Sequence, residues 1–344
     1  MIQLVVKCKQ RILVVGCGLA GATVARELAD RGYNIDIIDA RSHVAGNAYD
    51  FQDERGFRIH KYGPHLYHTS DEKVHQWLSR FTEWTPYKHE VKAILESGRY
   101  ITLPPNLETR EMLGVQGIID TLFRPYTRKM WGLEIEELDP QIIKRIAARE
   151  DMNTYYFPID KYQYLPTHGY TQMVLNMLDH QNIKIRLSTA FDKKMQNEYA
   201  HIFNSMPIDE YFDFTLGPLP YRSIKFTTVE FPAPRIFPKA VTNFTHDGPH
   251  TRVTEWNHLP NHGYRSDMTL LTYEEPCDYE DNDFQRFYPV KDIKGVNKSL
   301  YQNYKKLSPK NVTFIGRCGQ YQYLDMHQAV ASSLAIAAKF LSCS

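Results

Sequence analysis

Residues 60 to 69, HKYGPHLYHT, gather His60, His65 and His68 with two tyrosines in one short span. Three chemistries suit such a set: a metal site, a cluster of bases, or the wall of a pocket that holds something flat. Gly63-Pro64 breaks any helix between the histidines and removes the shared face used by a zinc site of the H-x-x-x-H kind, and spacing alone settles nothing further. A second set is more specific. Gly16, Gly18 and Gly21 follow the apolar run Ile12 to Val15, and an acid, Asp39, stands 23 residues after Gly16. In a dinucleotide unit the first glycine makes a tight turn, the second lets backbone N–H groups approach a pyrophosphate, and the third lets a helix pack on the sheet. The acid accepts hydrogen bonds from the ribose.

These residues need elements to hold them. RILVVGCGLAGATVARELADRGYNIDIIDAR, residues 11 to 41, reads as strand, glycine turn, helix and second strand, closed by Asp39. From residue 71 to about 185 the spacing predicts a helix in DEKVHQWLSRF, a hairpin turning at Ser97-Gly98, and a helix in VQGIIDTLFRPYTRKMW interrupted by Pro125. Residues 186 to 290 carry β-branched and aromatic residues in partial alternation and read as β-rich. NVTFIGRCG is one more strand ending in glycines, and MHQAVASSLAIAAKFL is a terminal helix. The expectation is a dinucleotide domain assembled from both chain ends, with a substrate domain between.

Length and composition bound the partners. At 344 residues the chain suits about two domains. Lys and Arg total 41 against 40 Asp and Glu, so no global field draws nucleic acid or anionic lipid, and an anionic partner must be gripped locally. Five cysteines, Cys8, Cys17, Cys277, Cys318 and Cys343, are scattered with no C-x-x-C pair, which points to reduced thiols in a cytoplasmic compartment. The opening MIQLVVKCKQ is too short in apolar residues for a signal peptide, and no run is long enough for a membrane span. Tyrosine, at 23 residues, is the outlier, suited to pockets for sugars and bases as well as to half-buried surface.

Two resemblances narrow this reading. ARSHVAGNAYD, residues 40 to 50, is similar to the segment that continues from the acid toward the flavin side of the pyrophosphate in many flavoproteins, with Ala45 where a second glycine is usual. It puts Arg41 by phosphate or adenine and Gly46 and Asn47 in the loop. Over nearly its whole length, the chain then resembles the UDP-galactopyranose mutase family. GNAYD, IHKYGPHLYHT, YTRKMWG, IIKRI, YFP with GYT, YRSIKF, NFT, TRVTEW, FYPV and YQYLDMHQ occur in family order.

The resemblance implies an α/β fold: a Rossmann-like FAD-binding domain from residues 1–70 and 291–344, a mostly helical domain at 71–185 with a mobile loop, and an antiparallel β-sheet substrate domain at 186–290. It implies an isomerase that interconverts pyranose and furanose forms of a nucleotide sugar, UDP-galactose first. Reduced FAD would attack the anomeric carbon through N5, with no net redox and with an external reductant. Catalytic roles fall on Arg145 and Arg252 as diphosphate clamps, on His65 against the flavin, and on Tyr323 and Asp325 near diphosphate and sugar. Substrate contacts fall on Asn106, Tyr126, Trp131, Tyr156 and Tyr288. Cofactor contacts fall on Gly16, Gly18, Gly21, Asp39, Arg41, Gly46, Asn47, His60 and Arg317, and no metal is expected. Arg317 would favour the reduced flavin anion through its fixed charge.

The chain departs from the family pattern between LPPN and YTRKMWG, where only the nineteen residues Leu107 to Pro125 stand in place of a longer helical segment. That segment shapes the uracil pocket and, in many members, a dimer contact, so nucleotide preference and a homodimer stay open. Mutases of dTDP-, GDP- or other UDP-sugars are the alternatives on the same chemistry. A flavin oxidoreductase of the amine-oxidase type and a catalytically silent binding protein are alternatives of other classes.

Overall fold

Residues 11–137, 149–290 and 294–343 are described by the computed structural model, and Arg145, expected as a diphosphate clamp, lies outside them. The chain forms two compact units. The first takes residues from 1–49, 170–218 and 303–344, and the second from 50–169 and 219–302.

In the first unit, β1 (Arg11–Val15) and β2 (Asn34–Ile38) flank the helix Leu19–Ala29. β10 (Ile183–Arg186), β11 (His201–Asn204) and β17 (Val312–Phe314) complete a parallel sheet in the order β10-β2-β1-β11-β17. Ile12, Leu13 and Val14 are fully buried because both faces of a parallel sheet are covered, which explains the unbroken apolar run. The helix Leu19–Ala29 packs against the terminal helix Met326–Cys343, the expected closure of the chain end on the first domain. Strands β10 and β11 differ from expectation: residues 170–218 join this unit instead of the segments between the chain ends.

The second unit is built on a seven-stranded sheet, order β16-β12-β15-β14-β13-β7-β8. Its strands are β7 (Val91–Ile94), β8 (Tyr100–Leu103), β12 (Tyr221–Phe231), β13 (Val241–Phe244), β14 (Arg252–Glu255), β15 (Thr269–Asp278) and β16 (Tyr288–Pro289). The hairpin at Gly98 is present, but β7 pairs with β13 and so belongs to the large sheet; residues 71–185 are not mostly helical. β5 (Tyr67–Thr69), β6 (Trp84–Pro86) and β9 (Tyr162–Pro166) form a separate small sheet, and β3 (Asp50–Gln52) pairs with β4 (Arg58–His60).

Helix Leu107–Ile118 bends at Gly114, where φ is +66°, and a wide π turn at Ile119–Phe123 leads into helix Arg124–Trp131. The α-helical ladder is thus interrupted just before Pro125, as expected, and Pro125 stands in the first turn of the helix that follows, where a missing N–H is tolerated. Ile118, Leu122 and Ile135 pack on Val91, Ala93, Ile101 and Val241, fixing these helices to the sheet. Each such buried aliphatic side chain contributes roughly 1.5–3 kcal/mol. No helix among the described residues is long and apolar enough to cross a membrane.

Candidate functional site

The first unit carries a cradle made of backbone. Gly16 has φ +101°, and a Cβ there would stand 1.9 Å from Ser205 Oγ, so the turn after β1 excludes any side chain. A Cβ on Gly21 would lie 1.9 Å from the Gly16 carbonyl oxygen, the close approach of helix to strand that the third glycine serves. Gly46, at φ +55°, faces Gly18 so closely that its Cβ would lie 3.0 Å from Gly18 Cα. The Cys17 and Arg41 backbone N–H groups donate to the Asp39 carboxylate at 2.8 and 2.9 Å, which ties the acid beneath the glycine turn. Arg41 Nη1 donates to Asn47 Oδ1 at 2.9 Å. Burial and the neighbouring Asp39 push the Cys17 thiol up, keeping it protonated.

At the N-terminus of helix Leu19–Ala29, Gly18 makes no side-chain cap. Its first amides and the positive end of the helix dipole form an anion seat beside the Asp39 carboxylate, so the residues present fit a dinucleotide. In the same unit the Arg317 guanidinium donates to the Leu324 carbonyl oxygen at 2.7 Å and lies 4.9 Å from the Tyr323 ring centre. Tyr323 is 43% exposed, and Asp325 is half-buried just before the terminal helix.

The second unit carries a cluster made of side chains. Arg252 on β14 and Glu274 on β15 stand directly across from each other, and Arg252 Nε donates to Glu274 Oε2 at 2.7 Å. Burial raises the Glu274 pKa against the pull of Arg252. Burial would lower that of Arg252, but Glu274, with Tyr288 and Tyr126, more than offsets it and the guanidinium is held charged. Glu274 is 1% exposed while the Arg252 side chain keeps 30% exposure, so the pair presents its cation outward.

Tyr126 and Trp131 come from helix Arg124–Trp131 and Tyr288 from β16, and all three pack against Met130, Ile224 and Phe287. The Trp131 and Tyr288 rings meet edge to face at 6.4 Å. Arg222 Nε donates to the Met130 carbonyl oxygen at 2.8 Å, and Lys129 Nζ donates to the carbonyls of Phe244, His246 and His250, which moors this helix to the strands on either side of the cluster. Tyr156 stands 38% exposed with its ring 5.7 Å from that of His89. His89 is buried, and burial together with Arg252 and His68 lowers its pKa to about 3, so it is neutral.

The second unit thus brings together Arg252, Tyr126, Trp131 and Tyr288, with Tyr156 alongside through His89. Two expected contacts do not hold. Asn106 is fully buried as the N-cap of helix Leu107–Ile118, its Oδ1 accepting from Thr109 N–H and its Nδ2 directed at the Met152 carbonyl, so it offers no surface to a substrate. His60 is 1% exposed with both ring nitrogens engaged by His65 and His262, so it cannot touch a cofactor. His68 instead pairs with Asp160 at 2.6 Å and stacks on Phe157. Glu274, His89, Lys129 and His262 went unread because their partners lie on strands and loops far away in sequence.

The fold and the glycine cradle define a nucleotide-cofactor enzyme of the Rossmann type, and the model for the NAD(P)-binding Rossmann-like domain matches residues 14–81. The UDP-galactopyranose mutase family model matches residues 121–323. The chain is 32% identical to the probable UDP-galactopyranose mutase of Klebsiella pneumoniae, over 97% of this chain and 95% of that one. It is 30% identical to the dTDP-fucopyranose mutase of Escherichia coli, over 96% and 98%. A crystal structure of reduced UDP-galactopyranose mutase superposes with a TM-score of 0.72 at 15% identity, covering 98% of this chain and 94% of that one. The chain belongs to the UDP-galactopyranose mutase family and is an isomerase.

Proposed function

We propose that the protein interconverts UDP-galactopyranose and UDP-galactofuranose on reduced FAD, in the cytoplasm, with electrons from an external donor. The observation that carries this reading is Arg252, a guanidinium held charged by a buried carboxylate and surrounded by Tyr126, Tyr288 and Trp131. A fixed planar cation with hydroxyl donors suits the two phosphates of a nucleoside diphosphate as it leaves and returns.

FAD would fit the cradle of Gly16, Gly18, Gly21, Asp39, Arg41, Gly46 and Asn47, and in its reduced form would supply a nucleophile for the anomeric carbon. The chain's own residues do the rest. The amides at the N-terminus of helix Leu19–Ala29 hold the cofactor pyrophosphate, and Asp39 accepts from its ribose. Arg317 adds a fixed positive charge favouring the reduced cofactor. Arg252, joined by Arg145, holds the diphosphate, while Tyr126 and Trp131 flank the base and Tyr156, Tyr288 and Tyr323 donate to phosphate or sugar oxygens. Asp325 accepts from sugar hydroxyls, and His65 offers an acceptor nitrogen to the reacting groups. Holding both partners keeps the sugar from water and turns recapture of the diphosphate into an intramolecular event.

A dTDP-sugar is the second reading, favoured by the similar identity to a dTDP-fucopyranose mutase. Purified protein is incubated with UDP-galactofuranose, with and without dithionite, and the products are separated by ion-exchange chromatography. Conversion to the pyranose only under dithionite is expected. Absence of conversion by a protein whose bound flavin bleaches on reduction would eliminate UDP-galactose, and the same assay with dTDP-fucofuranose then decides the second reading.

A further inference from the structure

Behind the Gly63-Pro64 turn, half-buried His65 leads to the buried pair His60 and His262, a chain whose proton positions are fixed by its ends. The His65 backbone N–H donates to His60 Nδ1 at 2.9 Å, so that nitrogen carries the lone pair and a neutral His60 has its proton on Nε2. At the other end His262 Nδ1 lies 2.7 Å from the Pro260 carbonyl oxygen. A carbonyl only accepts, so the His262 proton is on Nδ1 and its Nε2 carries the lone pair. The two Nε2 atoms, 2.9 Å apart, therefore share one hydrogen bond with a single direction, from His60 to His262. By the same rule His65 Nδ1, 2.8 Å from the Gly63 carbonyl oxygen, carries the His65 proton and leaves the lone pair on Nε2.

The surroundings keep this arrangement neutral. His60 and His262 are 1% and 2% exposed, and the Trp256 ring is stacked 6.1 Å from His262. Burial lowers both pKa values most; His262, His65 and Arg58 further oppose protonation of His60, while for His262 the burial and Arg58 together outweigh the Pro260 carbonyl and Asp50, which favour the charged form. A proton added to His262 would go to Nε2 and face the His60 N–H at 2.9 Å, and one added to His60 would go to Nδ1 and face the His65 backbone N–H at 2.9 Å. Gly63, at φ +83°, has no space for a side chain: a Cβ there would stand 2.9 Å from Phe226 and 3.1 Å from Glu274 Oε1.

We propose that His262, acting through His60, is a positioning residue that sets the Gly63–His65 turn and presents His65 with Nε2 as a hydrogen-bond acceptor. The inference rests on the role proposed above for His65. His262→Gln keeps both partners, since its carbonyl accepts from His60 and its amide donates to Pro260; His262→Phe leaves the His60 N–H without an acceptor.

Long-range 1H–15N spectra of protein labelled at histidine nitrogen, recorded at pH 7, read the relay directly and do not depend on turnover. The expected pattern is a proton on Nε2 of His60 and on Nδ1 of His262 and His65. His60 protonated on Nδ1, or either buried ring as imidazolium, would overturn the proposal. In the furanose assay His262→Phe should lower kcat about tenfold or more with KM within about twofold, and His262→Gln should keep kcat within about threefold. Wild-type kcat in a folded His262→Phe, or a His262→Gln that behaves like it, would also overturn the proposal. Should His262→Phe fail to fold, the proton pattern in the wild type and the rate of His262→Gln decide. Should the wild type convert no furanose, the spectra still decide the relay while the reading of the substrate fails separately.

Discussion

The cradle of the first unit is built from backbone and from side chains that are missing, whereas the cluster of the second is built from long side chains on separate elements. In the cradle, specificity is steric: Gly16 and Gly21 admit no Cβ because Ser205 and a carbonyl oxygen already stand there. In the cluster, specificity is electrostatic: the Arg252 cation is aimed by a carboxylate with almost no exposed surface. A backbone cradle tolerates no additions, and a side-chain cluster tolerates no removals.

The largest effect is expected from Arg252→Ala. It leaves Glu274, whose Oε1 already has no hydrogen-bond partner among the described residues, as an isolated buried acid. Breaking a buried pair in this way costs about 3–5 kcal/mol, toward the lower end here because Arg252 is part exposed, and urea unfolding reads it. Glu274→Gln should lose much less, since it keeps an acceptor for Arg252 without the charge.

Next comes acid pH. Burial lowers the His262 pKa from 6.5 to about 4, so between those values the unfolded chain binds more protons than the folded one. Stability is therefore intact above about pH 6.5 and falls as the pH drops toward 4, by about 3 kcal/mol from this residue alone. Unfolding midpoints at pH 7 and pH 5 should differ, and His262→Gln should reduce the difference.

Gly21→Ala tests the cradle. Its Cβ would meet a backbone oxygen that cannot rotate away, and such overpacking costs about 1–3 kcal/mol, or roughly five- to 150-fold in cofactor affinity if all of it falls on the bound state. The flavin content of the purified protein should drop while Arg252→Ala keeps its flavin. The smallest effect is expected from Lys129→Met. It removes three hydrogen bonds to the carbonyls of the 244–250 loop, which water can partly replace, so the cost is roughly 1 kcal/mol with a raised KM for the nucleotide sugar.

The same contrast explains what the sequence could show. The cradle is local: strand, glycines, helix and Asp39 follow one another within thirty or so residues, and each glycine is a gap that the letters display directly. Strands β10 and β11 of the same sheet were assigned to the wrong region because a parallel strand carries no mark of its neighbour, and β1 finds its partner at His201–Asn204 across the chain. In the cluster, Arg252, Tyr126, Trp131 and Tyr288 were legible only through ordered motifs. Glu274 was not legible at all, since nothing in YEEP says which of its two acids points inward; the register of β14 on β15 decides it. Asn106 and His60 were misread for one reason: a polar residue in a conspicuous motif can be consumed by a cap or by a buried partner.

If the glycine cradle holds the cofactor and Arg252 anchors the nucleotide sugar, the two kinds of binding can be lost separately. The most direct measurement is the flavin content and dithionite-dependent UDP-galactofuranose conversion of the double variant Arg252→Met with Glu274→Gln, in which both charges go together and the buried acid is not left alone. Stoichiometric flavin with an unchanged visible spectrum is expected, with conversion reduced by at least about a hundredfold. Conversion near the wild-type rate, or a protein that no longer holds flavin, would contradict that separation.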